Sequence, residues 1–246
     1  MSSVPRFFVS RSLITDGTVL ITGTDARHIS KVLRLKAGDR ITVCDMQRTV
    51  YPGVLVRVSP EECEARLSEG MSASSEPPYT VTLYQGIPKG DKLDTVVQKA
   101  VELGATEIVP VMCERAVSRP DRASAEKKLI RLRRIAAEAA KQCGRGCVPE
   151  VGDIINYSEM LKRLAAADLH FICYEGDGTL PLRSLLTGNP SSVAFYIGPE
   201  GGISRGEIDA ATAAGIPSAG LGSRILRTET APLFVLSALS VLLENR

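Results

Sequence analysis

The sequence predicts a small, mostly β domain followed by a larger α/β domain built on a parallel sheet. Three observations carry this. Short alternating segments separated by turn residues fill the chain before Met71; a polar stretch ending in two prolines interrupts it at Met71–Pro78; and apolar strands then alternate with amphipathic helices. The expected boundaries are 1–72 for the first domain, 73–78 for a linker and 79–246 for the second.

In the first part, Arg40–Cys44 and Val54–Val58 read as strands, with turn chemistry at Lys36–Asp39 and at Tyr51–Gly53. One short helix is expected around His28 to Leu33, and the whole suggests a barrel. In the second part, Val81–Tyr84 precedes a helix whose apolar residues Leu93, Val96, Val97, Ala100 and Val101 recur at three- and four-residue spacing, closed by Gly104. Further strands follow at Ile108–Val111, Leu169–Cys173 and Val193–Ile197. Ser204 with Glu207 makes a capping box for a helix running to Ala214, and Gly215 closes it. Pro232 sits in the first turn of a long apolar C-terminal helix.

Composition narrows the function classes. The 246 residues are 44% apolar, enough for a substantial core, and the formal net charge of +2 neither demands nor excludes an RNA partner. Without tryptophan, a single-strand binder built on stacked bases is disfavoured. The N-terminal residues lack the order of a signal peptide and no apolar run reaches membrane-spanning length, so a reducing cytoplasm is the expected setting. Six scattered cysteines do not make a disulfide framework. Cys143 and Cys147 alone are close enough to share a zinc ion, but both histidines lie far off in sequence; buried or helix-face thiols are the plainer reading, and no metal is expected.

The most basic stretch holds Lys127, Lys128, Arg131, Arg133, Arg134, Lys141 and Arg145, on a helix whose apolar stripe is Leu129, Leu132, Ala136, Ala139 and Cys143. The charged side is either a solvated face or, with Arg119 and Arg122 before it, a surface that tracks phosphates. Two glycine-bearing segments, Gly198-Pro199-Glu200-Gly201-Gly202 and Leu221 to Ala231, each follow a strand, which places them at the carboxyl edge of the sheet where open α/β folds keep their ligands. Neither is a phosphate loop or a dinucleotide fingerprint. The first alone is compatible with a tight turn; together with Arg224, Arg227 and Glu229 they describe a pocket for a polar, extended small molecule.

These residues resemble the ribosomal RNA small-subunit uridine N3-methyltransferase family of the SPOUT class. The likeness runs through Arg6-Phe7, His28 to Arg34 with Gly38-Asp39, Lys89-Gly90, Lys99 with Glu102-Leu103-Gly104, Glu114-Arg115 with Ser118, Glu138-Ala139-Ala140 with Gln142 and Arg145, the Gly198–Gly202 segment and the Arg224–Thr230 run. One departure is Cys44-Asp45-Met46-Gln47-Arg48, where the family often turns through glycine. The resemblance implies a PUA-like RNA-binding barrel, a SPOUT-type α/β domain threaded into a deep trefoil knot, S-adenosyl-L-methionine as cofactor, a homodimer, and methylation of a uridine in 16S ribosomal RNA within an assembled small subunit. The alternatives are the same fold acting on another RNA such as a transfer RNA, or a non-catalytic RNA-binding or assembly factor.

On that basis Ile197, Gly198, Pro199, Glu200, Gly201, Gly202, Leu221, Gly222, Ile225, Leu226, Arg227 and Thr230 are the expected cofactor residues. Glu200 binds a ribose hydroxyl or the cofactor amino group, or caps a helix. Arg145 approaches the target base or its phosphate, while Arg227 and Glu229 either act at the catalytic centre or form an ion pair. Arg6, Arg11, His28, Lys31, Arg34, Lys89, Arg131, Arg134 and Arg145 are the expected RNA contacts, with a buried, helix-fixing role the alternative for His28.

Overall fold

The computed structural model describes residues 4–116 and 119–244, so Ser118 lies outside the described residues. The chain forms two compact units, one comprising residues 1–76 with 140–148, the other 77–139 with 149–246.

The first unit is a seven-stranded sheet of β1 (Arg6–Phe8), β2 (Ile14–Thr15), β3 (Thr18–Thr22), β4 (Arg40–Cys44), β5 (Thr49–Val58), β6 (Glu62–Leu67) and β7 (Met71–Ser72), in the order β1-β4-β5-β6-β3-β2 with β7 on β5. All pairs are antiparallel except β1 with β4. Its core gathers Phe7, Ile21, Ile29, Ile41, Val43, Leu55 and Ala65, every second residue along β3, β4 and β5, as strand periodicity requires. Helix α1 (Gly23–Arg27) runs on in a wider turn over His28–Val32 and closes that core through Ala26 and Ile29.

Two local expectations are corrected. No turn forms at Tyr51–Gly53: β5 runs straight through Pro52. Thr42, opposite Pro52, sends its N–H to Pro5 of the β1 side, and the Pro52 carbonyl accepts from Ser68 just past the end of β6. The missing proline N–H therefore falls where the ladder has ended. The turn without glycine after Cys44 is held by the Asp45 carboxylate, which accepts the Gln47 and Thr49 N–H groups at 2.8 and 3.1 Å. It stabilises Met46 and Arg48 at φ of 63° and 66°, a left-handed region that ordinarily favours glycine.

The second unit is an eight-stranded, wholly parallel sheet: β8 (Thr80–Gly86), β9 (Glu107–Met112), β10 (Glu150–Val151), β11 (Ile155–Asn156), β12 (Leu169–Cys173), β13 (Leu180–Pro181), β14 (Ser192–Ile197) and β15 (Ser218–Gly220). Their order is β10-β9-β8-β14-β12-β15-β13, with β11 also on β9. Both faces are covered. Tyr84, Val109, Ile172, Ala194 and Tyr196 meet Met160 and Leu164 of α4 (Tyr157–Leu164) and Ile208 and Ala211 of α6 (Arg205–Ala213) on one side. By alternation Leu83, Phe171 and Phe195 face the other, the two phenylalanine rings stacked with centroids 5.8 Å apart. Each such fully buried side chain contributes roughly 1.5–3 kcal/mol. Helices α2 (Lys92–Glu102), which ends at the left-handed Gly104, and α7 (Ala231–Leu239), with proline in its first turn, pack on each other. The Ser204–Glu207 capping box forms as expected at the start of α6.

Helix α3 (Arg122–Cys143) begins in the second unit, and its last turn with the following loop belongs to the first. There the expectation for Arg145 is overturned: its side chain is 3% exposed and sits against Glu76, with Nε and Nη2 donating to the two carboxylate oxygens at 2.9 and 2.8 Å. A guanidinium clamped this way does not approach a base. Glu76 also accepts from Gly146 N–H at 2.7 Å, and Ser75 donates to the Gly144 carbonyl. Residues 73–76, which read as linker, are thus tied into the first unit by a charge pair that composition does not reveal. Arg6 is also spent internally, donating to the Arg145 carbonyl at 2.8 Å and to the Cys44 thiol. Lys141 pairs with Asp25 at 2.8 Å and lies over the Phe7 ring.

Burial alone would raise the Glu76 carboxyl, but the Arg145 guanidinium and the Gly146 N–H hold it below the usual carboxylate range. A depressed folded-state value stabilises the fold at pH above the ordinary 4.5, and this contribution is lost as pH falls through the lower folded value. Arg145→Ala, which strands a buried carboxylate, is expected to cost about 3–5 kcal/mol in urea denaturation at pH 7. In Glu76→Gln the acid-side loss of stability should flatten relative to wild type.

Candidate active site

In the parallel sheet β9 lies to one side of β8, the first strand of this unit, and β14 to the other. At such a switch point the loops leaving the carboxyl ends diverge and open a crevice. Over the carboxyl ends of β14, β12 and β15 lies a cavity of about 570 Å³, within the range of small-molecule and cofactor sites. Its wall is formed by Ile197–Glu200 and Gly202 after β14, Gly220–Thr228 after β15, Cys173–Gly176 and Thr179 after β12, with Lys92 and Arg115 at the margin.

The glycines have separate jobs. Gly202, at φ 70°, completes the turn in which its N–H donates to the Pro199 carbonyl at 2.9 Å. A Cβ on Gly198 would stand 3.0 Å from the Ile203 side chain, and one on Gly201 would stand 3.1 Å from Arg115 Cβ and 3.2 Å from its carbonyl oxygen. The loop is therefore folded tightly on its own backbone, and Arg115 fastens it by donating from Nη1 to the Gly201 carbonyl at 3.0 Å. Gly222, at φ 103°, has open space where a side chain would be, so backbone there is accessible to a ligand.

Glu200 lines the cavity, but its carboxylate is already engaged: it accepts from Lys89 N–H at 3.2 Å and from Lys92 Nζ at 2.7 Å. Burial would raise its carboxyl, yet the Lys92 ammonium and backbone N–H groups hold it below the usual range. The same hydrogen bond raises Lys92. Glu200 does not cap α6, where Ser204 and Glu207 already serve. Glu229 lies 3.8 Å from Lys92 Nζ and outside the cavity wall, which corrects its expected place at the catalytic centre. No Arg227–Glu229 ion pair forms among the described residues; Arg227 is exposed at the cavity, as is Arg224.

Of the expected cofactor residues, Ile197, Gly198, Pro199, Glu200, Gly202, Leu221, Gly222, Ile225, Leu226 and Arg227 meet at this one cavity, while Gly201 and Thr230 stand outside its wall. Lys92, Arg115, Tyr174, Glu175 and Thr179 join the cavity without a local signal, because they lie in segments after β8, β9 and β12 that meet only when the sheet assembles. Gln85 and Thr228 are likewise not among the expected site residues, although a glutamine directly after Val81–Tyr84 is a readable anomaly.

The expected RNA residues divide. Arg11 lies over the Tyr51 ring, 5.4 Å from its centroid, and is held by the Tyr51 hydroxyl and by the Asp45 carboxylate at 4.0 Å; His28, Lys31 and Arg34 are exposed, His28 edge-on to Phe7 and not buried. Lys89 is exposed. On α3, Arg131 is paired with Asp94 and Asp91, and Arg133 with Asp153, whereas Lys127 and Arg134 are exposed with no ion pair among the described residues.

A family model for an RNA methyltransferase domain matches residues 75–240, and one for an RNA methyltransferase PUA domain matches residues 21–68. Ribosomal RNA small subunit methyltransferase E of Bacillus subtilis is 37% identical over 91% of this chain and 90% of its own. The protein of that name from Synechocystis is 32% identical over 98% of this chain and 78% of its own. The crystal structure of ribosomal RNA small subunit methyltransferase E from Neisseria gonorrhoeae, bound to S-adenosyl methionine, covers 98% of both chains with a TM-score of 0.87 and 35% identity.

The tight seating of the first glycine loop is testable. A Cβ on Gly86 at the end of β8 would stand 2.7 Å from Pro199 Cδ and 2.8 Å from its nitrogen, so Gly86→Ala should destabilise by about 1–3 kcal/mol in chemical denaturation. Gly206→Ala, a position in α6 with nothing within 4 Å, should be neutral to stabilising.

Proposed function

The chain belongs to the RNA methyltransferase family, and from that premise we propose that it transfers a methyl group from S-adenosyl-L-methionine to N3 of a uridine in 16S ribosomal RNA of the small subunit. The observation that carries the reading is the meeting of two glycine-bearing loops at one sheet-edge cavity of about 570 Å³. The cavity suits this cofactor chemically: glycine backbone at Gly198, Gly202, Gly220 and Gly222, the apolar surface of Leu221, Ile225 and Leu226, and side chains of both signs in Glu175, Lys92, Arg224 and Arg227.

When bound, the sulfonium supplies an already activated methyl group, so the protein's work is alignment and exclusion of water. Residues 197–202 and 220–228 would hold the donor by backbone contacts. For N3 to accept the methyl group its proton must pass to solvent, and the resulting charge spreads over the flanking carbonyl oxygens. Arg227, exposed at the cavity with no ion pair among the described residues, would stabilise that charge, and Arg224 lines the same cavity. Glu229 would act at one remove by holding Lys92. Arg145 has no part in this step.

The first unit, a PUA-like barrel on this reading, would grip RNA through His28, Lys31 and Arg34; Lys89, Lys127 and Arg134 of the second unit are proposed as RNA contacts in their own right. Arg6, Arg11 and Arg131 are excluded because other groups hold them. The trefoil knot belongs to the same proposal: Thr228, between β15 and α7, reaches back to Gly198 after β14 and to Gln85 at the end of β8, a doubling-back compatible with threading. A homodimer is proposed as well, supported by exposed Ile225 at the cavity and exposed Phe234 and Val241 near the C-terminus. Among the described residues no helix is long and apolar enough to cross a membrane. A cytoplasmic place, acting on assembled small subunits, completes the proposal.

Nucleoside mass spectrometry of 16S ribosomal RNA from cells lacking the protein should show 3-methyluridine missing; an unchanged level would move the target to another RNA. Replacing Lys127 and Arg134 with alanine should weaken RNA binding and lower its salt dependence by about one counterion per lost phosphate contact, leaving cofactor affinity unchanged. An unchanged salt slope would reduce that helix face to a solvated surface.

A further inference from the structure

The two loops that frame the cavity are joined through one hydroxyl. Thr228 is buried, and its Oγ1 donates to the Gly198 carbonyl at 2.7 Å. A hydroxyl has one proton to give, so Thr228 can satisfy a second polar neighbour only by accepting. Gln85 is the matching donor. Fully buried at the end of β8, it directs Nε2 to Thr228 Oγ1 at 3.0 Å and to the Gly86 carbonyl at 3.1 Å. Reversing the amide would set its oxygen against a carbonyl and against a hydroxyl whose proton is already committed, so the neighbours dictate the orientation.

That orientation has a cost, because Gln85 Oε1 is buried with no hydrogen-bond partner among the described residues. At this fully buried position methionine would fill the same space without it. The backbone contact of Gly86 with Pro199 leaves the connection little slack.

We infer that Gln85 and Thr228 are a positioning pair for the cofactor, setting the register between the Gly198 loop and the 221–228 loop so that both backbones meet one ligand. Neither touches the reacting atoms; they act through the Gly198 carbonyl and the chain on either side of it. The inference rests on assigning the cavity to S-adenosyl-L-methionine, and wild-type protein tests that assignment in the same experiment.

Thr228→Val keeps the shape and deletes the hydroxyl, Thr228→Ser keeps the hydroxyl, and Gln85→Met removes the donor while leaving the Thr228–Gly198 bond. Calorimetric titration with S-adenosylhomocysteine should show Kd raised about tenfold in Thr228→Val, less in Gln85→Met, and close to wild type in Thr228→Ser. In steady state, KM for the methyl donor should rise in parallel while kcat at saturation falls by less than about threefold. A wild-type Kd in folded Thr228→Val, or a loss that Thr228→Ser shares, would overturn the inference. If Thr228→Val does not fold, an unchanged Kd in Gln85→Met overturns it. Failure of the wild-type protein to bind the probe would instead remove the cofactor assignment itself.

Discussion

A parallel sheet covered by helices on both faces leaves its carboxyl edge as the place where backbone can face a ligand, and the second unit is organised by that constraint. Its strands carry their buried residues between the covering layers, most completely in β8 and β14, so β8, β12, β14 and β15 deliver functional groups where they stop. The loops after them carry glycine because chain must pass close to chain there. Gly86 lies under Pro199, Gly201 against Arg115, and Gly198 against Ile203.

Within this frame, buried polar side chains mark where distant segments are closed on each other. Glu76 and Arg145 do this in the first unit, 69 residues apart in sequence, and Gln85 and Thr228 do it in the second, 143 apart. Both are costly to bury and both are answered by well-aligned partners, apart from one glutamine oxygen. The charged margin of the cavity is ordered similarly: Lys92 stands between Glu200 and Glu229, drawing together the two loops on which those carboxylates lie.

Much of the fold was legible because it is periodic. The spacing of Leu93, Val96, Val97, Ala100 and Val101, the alternation in Arg40–Cys44 and the Ser204–Glu207 capping pair are local signals, and each became the element it announced. Pro52 misled because a proline's effect depends on whether its missing N–H faces a partner, and that is decided by where β6 ends. Arg145 misled for a related reason. An arginine after a basic helix looks available until the chain returns Glu76 to it.

The sequence by itself determined the two-part architecture, the strand and helix succession, and ten of the residues that line the cavity, because these depend on residue type, short-range spacing and a motif specific to one family. Tertiary structure alone decided which charges are free. Arg227 and Arg224 face the cavity, whereas Arg145, Arg131 and Arg6 are held by Glu76, by Asp94 and by the Arg145 carbonyl respectively. It also brought Gln85, Tyr174 and Glu175 to the two glycine loops and joined those loops through Thr228. The physical reason is range: backbone preference and hydrophobic period act over a few residues, while a charge or a hydroxyl finds its partner only after strands far apart in the chain lie side by side.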